Sequence, residues 1–586
     1  MAYVHRYLSY CQNLSNTPHL IETLPEILSV RVEENGDKIC LVSRDENVKK
    51  TYRELWDDSH LIATSLYDEF VIRRGDTIGI WSPNSVAWVS VKLAADILGA
   101  ILCPVNPYFK VDELAFVVNH SKMKVLFMPS PESTLQAFNN FTEIVNDPKF
   151  LGQINKSLLS NIIYLDGKSE IKSTSRMKFH FLEDLSSRKY QQLPKILLDS
   201  DDSCVLMYTS GTSGKPKGVL LSTFMTVNNC HFAHKRYATD DTQDIICCPL
   251  PFFHCFGLIL CLVSSIVNNC TLVLTGSRFD AESTISSIVD HCCSLLICTP
   301  TIMLDILKCI EARNISVDSL KNCILGGAPL NDSLMKRIQL VFPKLMNVYN
   351  AYGSTELSLC ATLASKDDPK GKIFETNGRV IDHLECKITD TSTGNILEHN
   401  LMGELWIRGW SVMLGYHDDE EKTKNAVSIS RWYKTGDIAT MDCEGFITVV
   451  DRSKEMIIRG GVNIYPKEIE NCLMEDSSIS EAYVFGIPDQ RLGEQICAWI
   501  KLEKDGSKVT PNDIKDQLKH KIAYFKIPKY VFIVQDIPRT PTFKASKLKM
   551  REMTMEKFAR NHESLDTSEM LPKKLTEVPG ALEKAE

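Results

Sequence analysis

The chain has 586 residues, a mass of 66.2 kDa and a formal net charge of −8, and 44% of its residues are hydrophobic. This ordinary globular composition excludes a fibrous or wholly disordered chain, and the acidic balance excludes a general nucleic-acid coat protein. The length predicts about four domain-sized units, or fewer if one large α/β body counts as two.

The cysteine and hydropathy patterns indicate a soluble, intracellular chain. The 20 cysteines include no Cys-x-x-Cys pair, and neighbours such as Cys247 and Cys248 lie in apolar runs, which favours buried thiols over zinc ligands. The longest apolar run, Phe256–Val267, has 12 residues, whereas a membrane-spanning helix needs about 20. The N-terminus lacks the apolar core of a secretory signal and carries only Arg6 as a basic transit-peptide residue, which predicts the cytoplasm.

The first clear α/β pattern lies between residues 76 and 105. A short apolar strand over 77–81 is followed by a turn at 82–84. Val86, Val89 and Leu93 then recur at helical spacing until Gly99, and a second strand follows over 101–105. Strand, helix and strand in so short a span predict a parallel sheet. Similar pairs recur around 204–235, 245–275, 295–310 and 320–340.

The pattern changes near residue 450, where a strand over 446–450 gives way to a polar break at 451–454. The elements predicted beyond it are a helix near 466–473, strands near 482–487 and 496–502, a helix near 512–522 and a strand near 530–534. We therefore expect an α/β fold with a large N-terminal body of βα subdomains over 1–450 and a smaller, mobile α+β domain over 451–560. The polar residues 561–586 predict a disordered tail.

One glycine-rich loop carries most of the chemical information. Residues 209–218 follow the apolar strand 204–208 and consist almost entirely of Gly, Ser, Thr and Lys. Small residues let backbone N–H groups converge on an anion, and Lys215 and Lys217 add positive charge. The loop is not a Walker motif, because Pro216 follows Lys215. A flexible linker is the alternative, but the position between apolar strands argues against it.

The segment Tyr208–Val219 resembles the phosphate-binding signature of the adenylate-forming superfamily, which includes acyl-CoA synthetases, luciferases and adenylation domains. Further stretches resemble this family in the same order: Pro251–Gly257, Gly326–Pro329, Ala351–Glu356, Gly403–Gly409, Trp432–Asp437, Arg452–Lys454 and Gly460–Pro466. Longer strings are most similar to the medium-chain enzymes of acyl-CoA synthetase family member 2: Pro83–Trp88, Val412–Tyr416, Trp432–Thr440, Arg452–Gly461 and Phe525–Tyr530. Relatives in that group are mitochondrial, so the resemblance makes the mitochondrial matrix an alternative compartment.

The resemblance implies a two-step reaction on small molecules, with ATP, Mg²⁺ and coenzyme A and without nucleic acid. A fatty carboxylate, medium-chain by subfamily, attacks the α-phosphate of ATP to give acyl-adenylate and pyrophosphate. Coenzyme A thiolate then takes the acyl group and AMP leaves. The alternatives are an aromatic-acid ligase, a luciferase-like enzyme, an amino-acid adenylation module, and a binding protein without activity. The oligomeric state stays open.

The resemblance also implies roles for individual residues in ATP binding. It places the β- and γ-phosphates against Thr209, Ser210, Gly211, Thr212, Ser213, Gly214, Lys215, Pro216 and Lys217. It places adenine on Tyr352, in a pocket lined by Gly326, Gly327, Ala328 and Gly353. Thr355 would hold the α-phosphate and Glu356 would bind Mg²⁺, while Asp437 and Arg452 would hold the ribose. The alternatives are a helix cap at 351–356, a turn residue at Asp437 and a solvated charge at Arg452.

Other implied roles concern the acyl group and coenzyme A. His254 would lie at the acyl end of the site, or would be a core histidine, and Lys454 would be the hinge. Gly460 and Gly461 would leave room for the pantetheine arm, unless they only form a turn. Lys544 would bridge the carboxylate and the α-phosphate.

The residue before Lys544 departs from the family pattern. The family has glycine there, but this chain has Phe543, which would be strained at a position of positive φ. Residues 519–560 carry eleven Lys and Arg against three Asp and Glu, a net charge of +8. We interpret this segment, with Lys547 and Lys549, as a docking surface for the phosphates of coenzyme A or as a solvated basic surface.

Overall fold

The computed structural model describes most of the chain in two compact units. One unit comprises Met1–Val449 with Pro541–Lys544, and the other comprises Val450–Thr540 with Ala545–Glu586. The described residues are 2–137, 141–155, 158–167, 177–186, 192–209, 216–238, 244–313, 315–328, 330, 332–452, 455, 457–459, 462–489, 492–503, 509–519, 521–522, 524–540 and 544–560. The predicted tail 561–586 lies outside them.

The first unit alternates strands and helices along most of its length. Its strands are β1 Ala2–Val4, β2 Tyr10–Asn13, β3 Ile39–Ser43, β4 Val48–Thr51, β5 Thr77–Ile80, β6 Ile101–Pro104, β7 Val125–Met128, β8 Asn161–Tyr164, β9 Lys178–Phe181, β10 Ser203–Thr209, β11 Lys217–Ser222, β12 Ile245–Cys248, β13 Thr271–Leu274, β14 Leu295–Cys298, β15 Asn322–Gly326, β16 Asn347–Ala351, β17 Thr362–Leu363, β18 Arg379–Val380, β19 Glu385–Thr389, β20 Gly403–Arg408, β21 Gly415–Tyr416, β22 Tyr433–Met441 and β23 Ile447–Arg452, which ends in the second unit.

The helices of this unit connect those strands. They are α1 Leu24–Asn35, α2 Tyr52–Asp68, α3 Val86–Leu98, α4 Val111–Ser121, α5 Phe141–Asn146, α6 Pro148–Gln153, α7 Leu182–Ser186, α8 Thr223–Tyr237, α9 Ser264–Val267, α10 Ala281–Asp290, α11 Pro300–Arg313, α12 Asp332–Val341, α13 Lys370–Glu375 and α14 Glu420–Ala426. Short 3₁₀ turns occupy Thr134–Ala137 and Thr355–Leu357, and a π-helix occupies Phe256–Val263.

Three main sheets organise the first unit. An eight-stranded sheet has the order β21-β11-β10-β6-β5-β7-β8-β9, and a seven-stranded sheet has the order β16-β15-β14-β12-β13-β3-β4. Both are parallel through their centres, because helices cross between neighbouring strands. A six-stranded sheet, β1-β2-β19-β20-β22-β23, is antiparallel in its described pairings. Its N-terminal strands were not predicted from the sequence.

The first predicted α/β pattern is confirmed. β5 pairs in parallel with β6, and α3 lies between them in the chain. Ser85 caps α3 by accepting a hydrogen bond from the Trp88 N–H at 3.1 Å, and the helix ends at Gly99, as the spacing predicted. Buried apolar residues surround this strand–helix–strand unit, so it forms part of the main core.

The seven-stranded sheet positions the candidate site. Gly326 and Ala351 are the last residues of β15 and β16, and they pair across the two strands. The segment 249–254 follows β12 in the same parallel sheet. Ligands of such sheets bind beyond the carboxyl ends of the strands, so these three chain segments share one edge suited to binding.

The second unit forms a smaller α+β structure. Its strands are β24 Ile457–Arg459, β25 Val462–Ile464, β26 Ile479–Asp489, β27 Gly493–Leu502 and β28 Tyr530–Ile533, and its helices are α15 Pro466–Met474, α16 Pro511–Lys519 and α17 Lys547–Arg560, with a 3₁₀ turn at Tyr524–Lys526. The sheet order is β25-β24-β27-β26, and β28 pairs in parallel with β27. The predicted helices and strands are confirmed, although β26 and β27 are longer than predicted.

Two predictions about this region need correction. The polar break predicted at residue 451 is in part regular structure, because β23 continues to Arg452. Helix α17 was not predicted at all, although Met550 and Phe558 lie at helical spacing and belong to a small apolar cluster with Trp499. The Trp499 indole N–H donates to Thr554 Oγ1 at 2.9 Å, which fixes α17 on the sheet.

Burial of the cysteines agrees with the prediction. All are free thiols, and they are buried apart from Cys292, Cys309, Cys443 and Cys472. Among the described residues, the structure contains no group of three or more His, Cys, Asp or Glu side chains that could hold a metal ion. None of the helices in the described ranges has the length and apolar character to cross a bilayer.

Candidate active site

The glycine-rich loop joins two strands of a hairpin. β10 and β11 are antiparallel, and Thr209 lies opposite Lys217 at the end of the pairing. Pro216 lies directly before β11. The remaining predicted phosphate ligands, Ser210, Gly211, Thr212, Ser213, Gly214 and Lys215, lie outside the described residues. The structure therefore brings together the two ends of the predicted phosphate-binding loop.

Tyr352 and Asp437 meet, although 85 positions separate them. The Tyr352 hydroxyl donates a hydrogen bond to Asp437 Oδ2 at 2.6 Å. Asp437 is only 8% exposed, and its N–H donates to Thr435 Oγ1 at 3.0 Å. Burial and the Asp437 charge raise the pKa of Tyr352 well above its usual value, so the phenol stays protonated as the donor. A buried, oriented carboxylate favours a binding role over an ordinary exposed turn residue.

Gly353 follows Tyr352 where the chain folds back tightly. The Tyr352 N–H donates to Thr362 O at 3.1 Å, and the Ala361 N–H donates to Tyr352 O at 2.9 Å. A Cβ built on Gly353 would overlap the backbone carbonyl of Leu359. Leu359 itself has a positive φ of 95°, a strained conformation that is common at functional sites. The position therefore has no room for a side chain.

We expect Gly353→Ala to destabilise the protein by about 3 kcal/mol and to weaken ATP binding, because the Leu359 carbonyl must move. Thermal unfolding and calorimetric titration with an ATP analogue measure both effects. Gly371→Ala is the matched control, because a Cβ there would lie 3.8 Å from the nearest side-chain atom, Glu375 Oε1. Wild-type ATP affinity in Gly353→Ala would contradict the geometry assigned to this turn.

Thr355 begins a short 3₁₀ turn and is buried. Its Oγ1 lies 3.3 Å from the Cys255 Sγ, so the residue contacts the segment that carries His254. Ser354 stands in the capping position, but its side chain makes no capping hydrogen bond. The alternative of a simple helix cap at 351–356 therefore lacks its main interaction.

Glu356 is the predicted magnesium ligand, and its donor chemistry fits that ion. The Tyr416 hydroxyl donates to Glu356 Oε1 at 2.9 Å. Within the described residues, Oε2 accepts no hydrogen bond, so one carboxylate oxygen is available. Mg²⁺ prefers oxygen ligands and is commonly held by one or two carboxylates together with substrate phosphates. The single carboxylate is consistent with that arrangement.

His254 lies two residues before the π-helix Phe256–Val263, and such helices are rare but frequent at functional sites. Its Nδ1 accepts a hydrogen bond from the Phe256 N–H at 3.2 Å. Burial and, to a lesser extent, the positive charge of Lys544 lower the pKa of His254 to about 3. The imidazole is therefore neutral at physiological pH. The preceding residue, Phe253, lines a cleft with Asn84, Tyr108, Pro251 and Arg278.

Lys544 groups with the first unit, although Thr540 and Ala545 group with the second. A Cβ built on Gly327 would lie 2.9 Å from Lys544 Cε and 3.1 Å from its Nζ. Gly327 has a φ of +79°, so the backbone conformation favours glycine here, whereas the end of the Lys544 side chain could move. At Gly326, a Cβ would approach the Ala351 carbonyl at 3.0 Å. The predicted segment Gly326, Gly327 and Ala328 thus leaves space for Lys544.

Several predicted residues are not placed by the structure. Lys454, Gly460, Gly461 and Phe543 lie outside the described residues, so the predicted hinge, pantetheine path and backbone strain remain predictions. Arg452 is the last residue of β23, and only its backbone is described.

Lys547 of the basic segment is held in ion pairs within the second unit, and its contact with coenzyme A remains a prediction. Its Nζ lies 2.9 Å from Glu470 and 3.0 Å from Glu455, and Glu470 is buried. Other basic residues of the segment pair with acidic residues from elsewhere in the second unit: Lys521 with Glu475, Lys526 with Glu468, Arg539 with Glu481 and Arg551 with Glu494. These ion pairs offset much of the +8 charge counted along the chain.

Tyr416 is a site residue that the sequence reasoning missed. It contributed to the subfamily resemblance through the string Val412–Tyr416, but no role was assigned to it. Its contact with Glu356 joins residues that are 60 positions apart. No local sequence pattern predicts a contact between residues so far apart. The available signal was that Tyr416 belongs to the string Val412–Tyr416, which resembles the subfamily.

Comparison with known proteins shows the family of the chain. The family model described as AMP-binding enzyme matches residues 28–417, and the model of the AMP-binding enzyme C-terminal domain matches residues 468–544. The chain belongs to the AMP-binding enzyme family. It is 33% identical over 551 residues to a Danio rerio protein named medium-chain acyl-CoA ligase ACSF2, mitochondrial, which covers 93% of this chain and 90% of that protein.

Solved structures of family members share the fold. The anthranilate CoA ligase AuaEII in complex with anthranoyl-AMP has a TM-score of 0.79 at 21% identity, and the match covers 93% of this chain and 99% of that one. The o-succinylbenzoate coenzyme A synthetase MenE of Bacillus subtilis, in complex with ATP and magnesium ion, has a TM-score of 0.73 at 26% identity, covering 90% and 98%. The predicted adenylate-forming family, α/β fold class and similarity to acyl-CoA ligases are confirmed.

Proposed function

We propose that this protein converts a medium-chain fatty acid to its acyl-CoA through an acyl-adenylate, with release of pyrophosphate and AMP. The observation that carries the proposal is the gathering of Tyr352, Thr355 and Glu356 beyond β16 with Lys544 at Gly327 beyond β15. These groups supply the donors, cation and carboxylate that adenylation needs. The ACSF2 relative supports the acyl-CoA product and the chain length.

In the first step, the chain holds ATP and presents its α-phosphate to the carboxylate. The Tyr352 ring stacks on adenine. The Asp437 carboxylate, oriented by the Tyr352 hydroxyl, accepts hydrogen bonds from the ribose hydroxyls. Thr209 and Lys217, with the loop between them, hold the phosphates, and Thr355 donates to the α-phosphate. Mg²⁺ bound at Glu356 would neutralise phosphate charge and favour departure of pyrophosphate.

Lys544 and His254 act at the reacting carboxylate. A carboxylate oxygen forms a bond to the α-phosphorus as the bond to pyrophosphate breaks. The Lys544 ammonium stabilises the negative charge that both reactants bring together. His254 is neutral, so it offers a polar edge at the acyl end without placing a second cation there. We assign the apolar chain of the acid to the cleft beside Phe253, the residue next to His254 in the chain.

The second step transfers the acyl group to sulfur. Coenzyme A thiolate, its proton lost to solvent, bonds to the acyl carbon, and the bond to the AMP oxygen breaks. We propose that the body over 1–450 holds the adenylate, while the domain over 451–560 rotates about Lys454 to exchange the two half-reactions. Gly460 and Gly461 would then leave space for pantetheine. The family resemblance supports both assignments.

The acyl specificity is tested with a panel of acids. Purified protein is supplied with ATP, Mg²⁺ and coenzyme A, and thiol consumption is followed for straight-chain acids from four to eighteen carbons, with benzoate and cinnamate included. We expect the highest kcat/KM at medium chain length, with each methylene worth about 1–3 kcal/mol. A maximum for benzoate or cinnamate would instead establish the aromatic-acid ligase, the alternative favoured by the anthranilate CoA ligase as a structural neighbour.

The compartment follows from the same comparison. The Danio rerio relative is named mitochondrial, which supports the matrix, and the cytoplasm is the alternative. Cell fractionation with antibodies against the native chain separates the two, because recovery with a matrix marker establishes the first and recovery with a cytosolic marker establishes the second.

A further inference from the structure

The side chain of Glu356 is held at one oxygen by a single phenol. Tyr416 Oη donates to Oε1 at 2.9 Å, and the Met413 N–H donates to the Glu356 backbone carbonyl at 2.9 Å. Both contacts come from the segment that leads into β21. Hydrogen bonds to a carboxylate are stronger than those between neutral groups, so the phenol restricts rotation of the side chain. The other oxygen, Oε2, is thereby held at a defined place.

Tyr416 is itself firmly positioned. It pairs with Val219 of β11, and its N–H donates to Thr423 Oγ1 at 2.9 Å. Its side chain is buried, with 7% of the residue exposed. Because both the backbone and the ring are held, the hydroxyl can act as a fixed donor rather than follow the carboxylate.

The ring of Tyr416 also connects with the phosphate loop. The Lys217 Nζ lies 4.7 Å from the ring centroid, within the range of a cation–π interaction. Lys217 is the first residue of β11 and lies opposite Thr209, at the closing end of the loop. One side chain thus contacts the end of the loop and the predicted metal ligand.

We propose that Tyr416 is a positioning residue that fixes Glu356 for Mg²⁺ and couples its position to Lys217 at the end of the phosphate-binding loop. The proposal rests on the role of Glu356 in the proposed function. The role assigned to Tyr416 is exerted through Glu356. Residues that orient a metal ligand in this way typically change metal affinity or activity about 10–100-fold when they are replaced.

Tyr416→Phe keeps the ring and removes only the hydroxyl. We expect the Mg²⁺ concentration for half-maximal rate to rise about 10–100-fold, whereas kcat at saturating Mg²⁺ recovers to within about two-fold of wild type. Binding of Mn²⁺ to the complex with α,β-methylene-ATP, measured by electron paramagnetic resonance, should weaken by a similar factor. Tyr349→Phe is the matched control, because its buried hydroxyl accepts from Asn347 Nδ2 at 3.0 Å.

Two further variants separate the possible outcomes. If Glu356→Gln binds Mn²⁺ like wild type, the metal role of Glu356 in the proposed function is wrong. If Glu356→Gln loses Mn²⁺ but Tyr416→Phe does not, the positioning role of Tyr416 is wrong while the metal site stands. Lys217→Gln should weaken Mn²⁺ binding more in the wild-type background than in Tyr416→Phe, and equal effects in both backgrounds would overturn the coupling.

Discussion

Lys544→Ala is expected to slow formation of the acyl-adenylate by about 10²–10³-fold, the order observed when a group that stabilises developing charge is removed. The Lys544 side chain lies against Gly327. Burial and, to a lesser extent, the Lys544 charge lower the pKa of His254. Rapid-quench measurement of acyl-adenylate in a single turnover gives the rate of this step. Conversion of preformed acyl-adenylate to acyl-CoA should remain close to wild type, because that step needs no bridge to an attacking carboxylate.

The control for this prediction is Lys308→Ala. Lys308 is exposed on α11 of the first unit, so its removal changes the same net charge at a residue to which no role in the site is assigned. An equal fall of both half-reactions in Lys544→Ala would show that the lysine has a structural role. An unchanged rate of adenylate formation in Lys544→Ala would show that Lys544 has no role in this step. Phe543, which departs from the family pattern, would then be the residue to examine.

Asp437→Asn is expected to raise the KM for ATP about 10–100-fold, because a charged acceptor of hydrogen bonds contributes about 1.5–3 kcal/mol. Asp437 is buried and accepts a hydrogen bond from the Tyr352 hydroxyl at 2.6 Å. Its replacement should therefore affect both the proposed ribose contact and the ring of Tyr352, which is proposed to bind adenine. Steady-state kinetics at saturating fatty acid and coenzyme A measure the change. The KM for the fatty acid should remain within about two-fold.

A double-mutant cycle with Tyr352→Phe isolates the link between the two residues. If the phenol orients the carboxylate, the effects on ATP binding should be non-additive by about 0.5–3 kcal/mol. Asp390→Asn is the matched control, because Asp390 holds an exposed turn through Ser392 and Thr393. A strictly additive cycle would contradict the view that Tyr352 positions Asp437.

Local sequence patterns predicted those helices and strands whose formation depends on neighbouring residues. The spacing of Val86, Val89 and Leu93 and the stop at Gly99 define α3, because helix periodicity and its termination are properties of neighbouring residues. The glycine-rich segment was correctly placed between strands for the same reason. Family strings then predicted candidate residues that the structure brings together from β15, β16 and β22.

Contacts between distant segments were not predictable in this way. Tyr416 and Glu356 lie on different elements, and only the pairing of β21 with β11 brings the phenol to the carboxylate. The charge of Lys547 was counted along the chain, whereas its partner Glu470 comes from α15 in the fold. Helix α17 was not predicted, because the segment was interpreted from its many basic residues alone. The helical spacing of Met550 and Phe558 was available as a signal.

The central claim is that one site activates a carboxylate by adenylation before any thiol is needed. Incorporation of labelled pyrophosphate into ATP, measured with Mg²⁺ and without coenzyme A, tests it most directly. We expect exchange that depends on the addition of a medium-chain fatty acid and that is lost in Lys544→Ala. Absence of fatty-acid-dependent exchange in the wild-type protein, with ATP binding intact, would show that the chain binds the nucleotide without activating the acid.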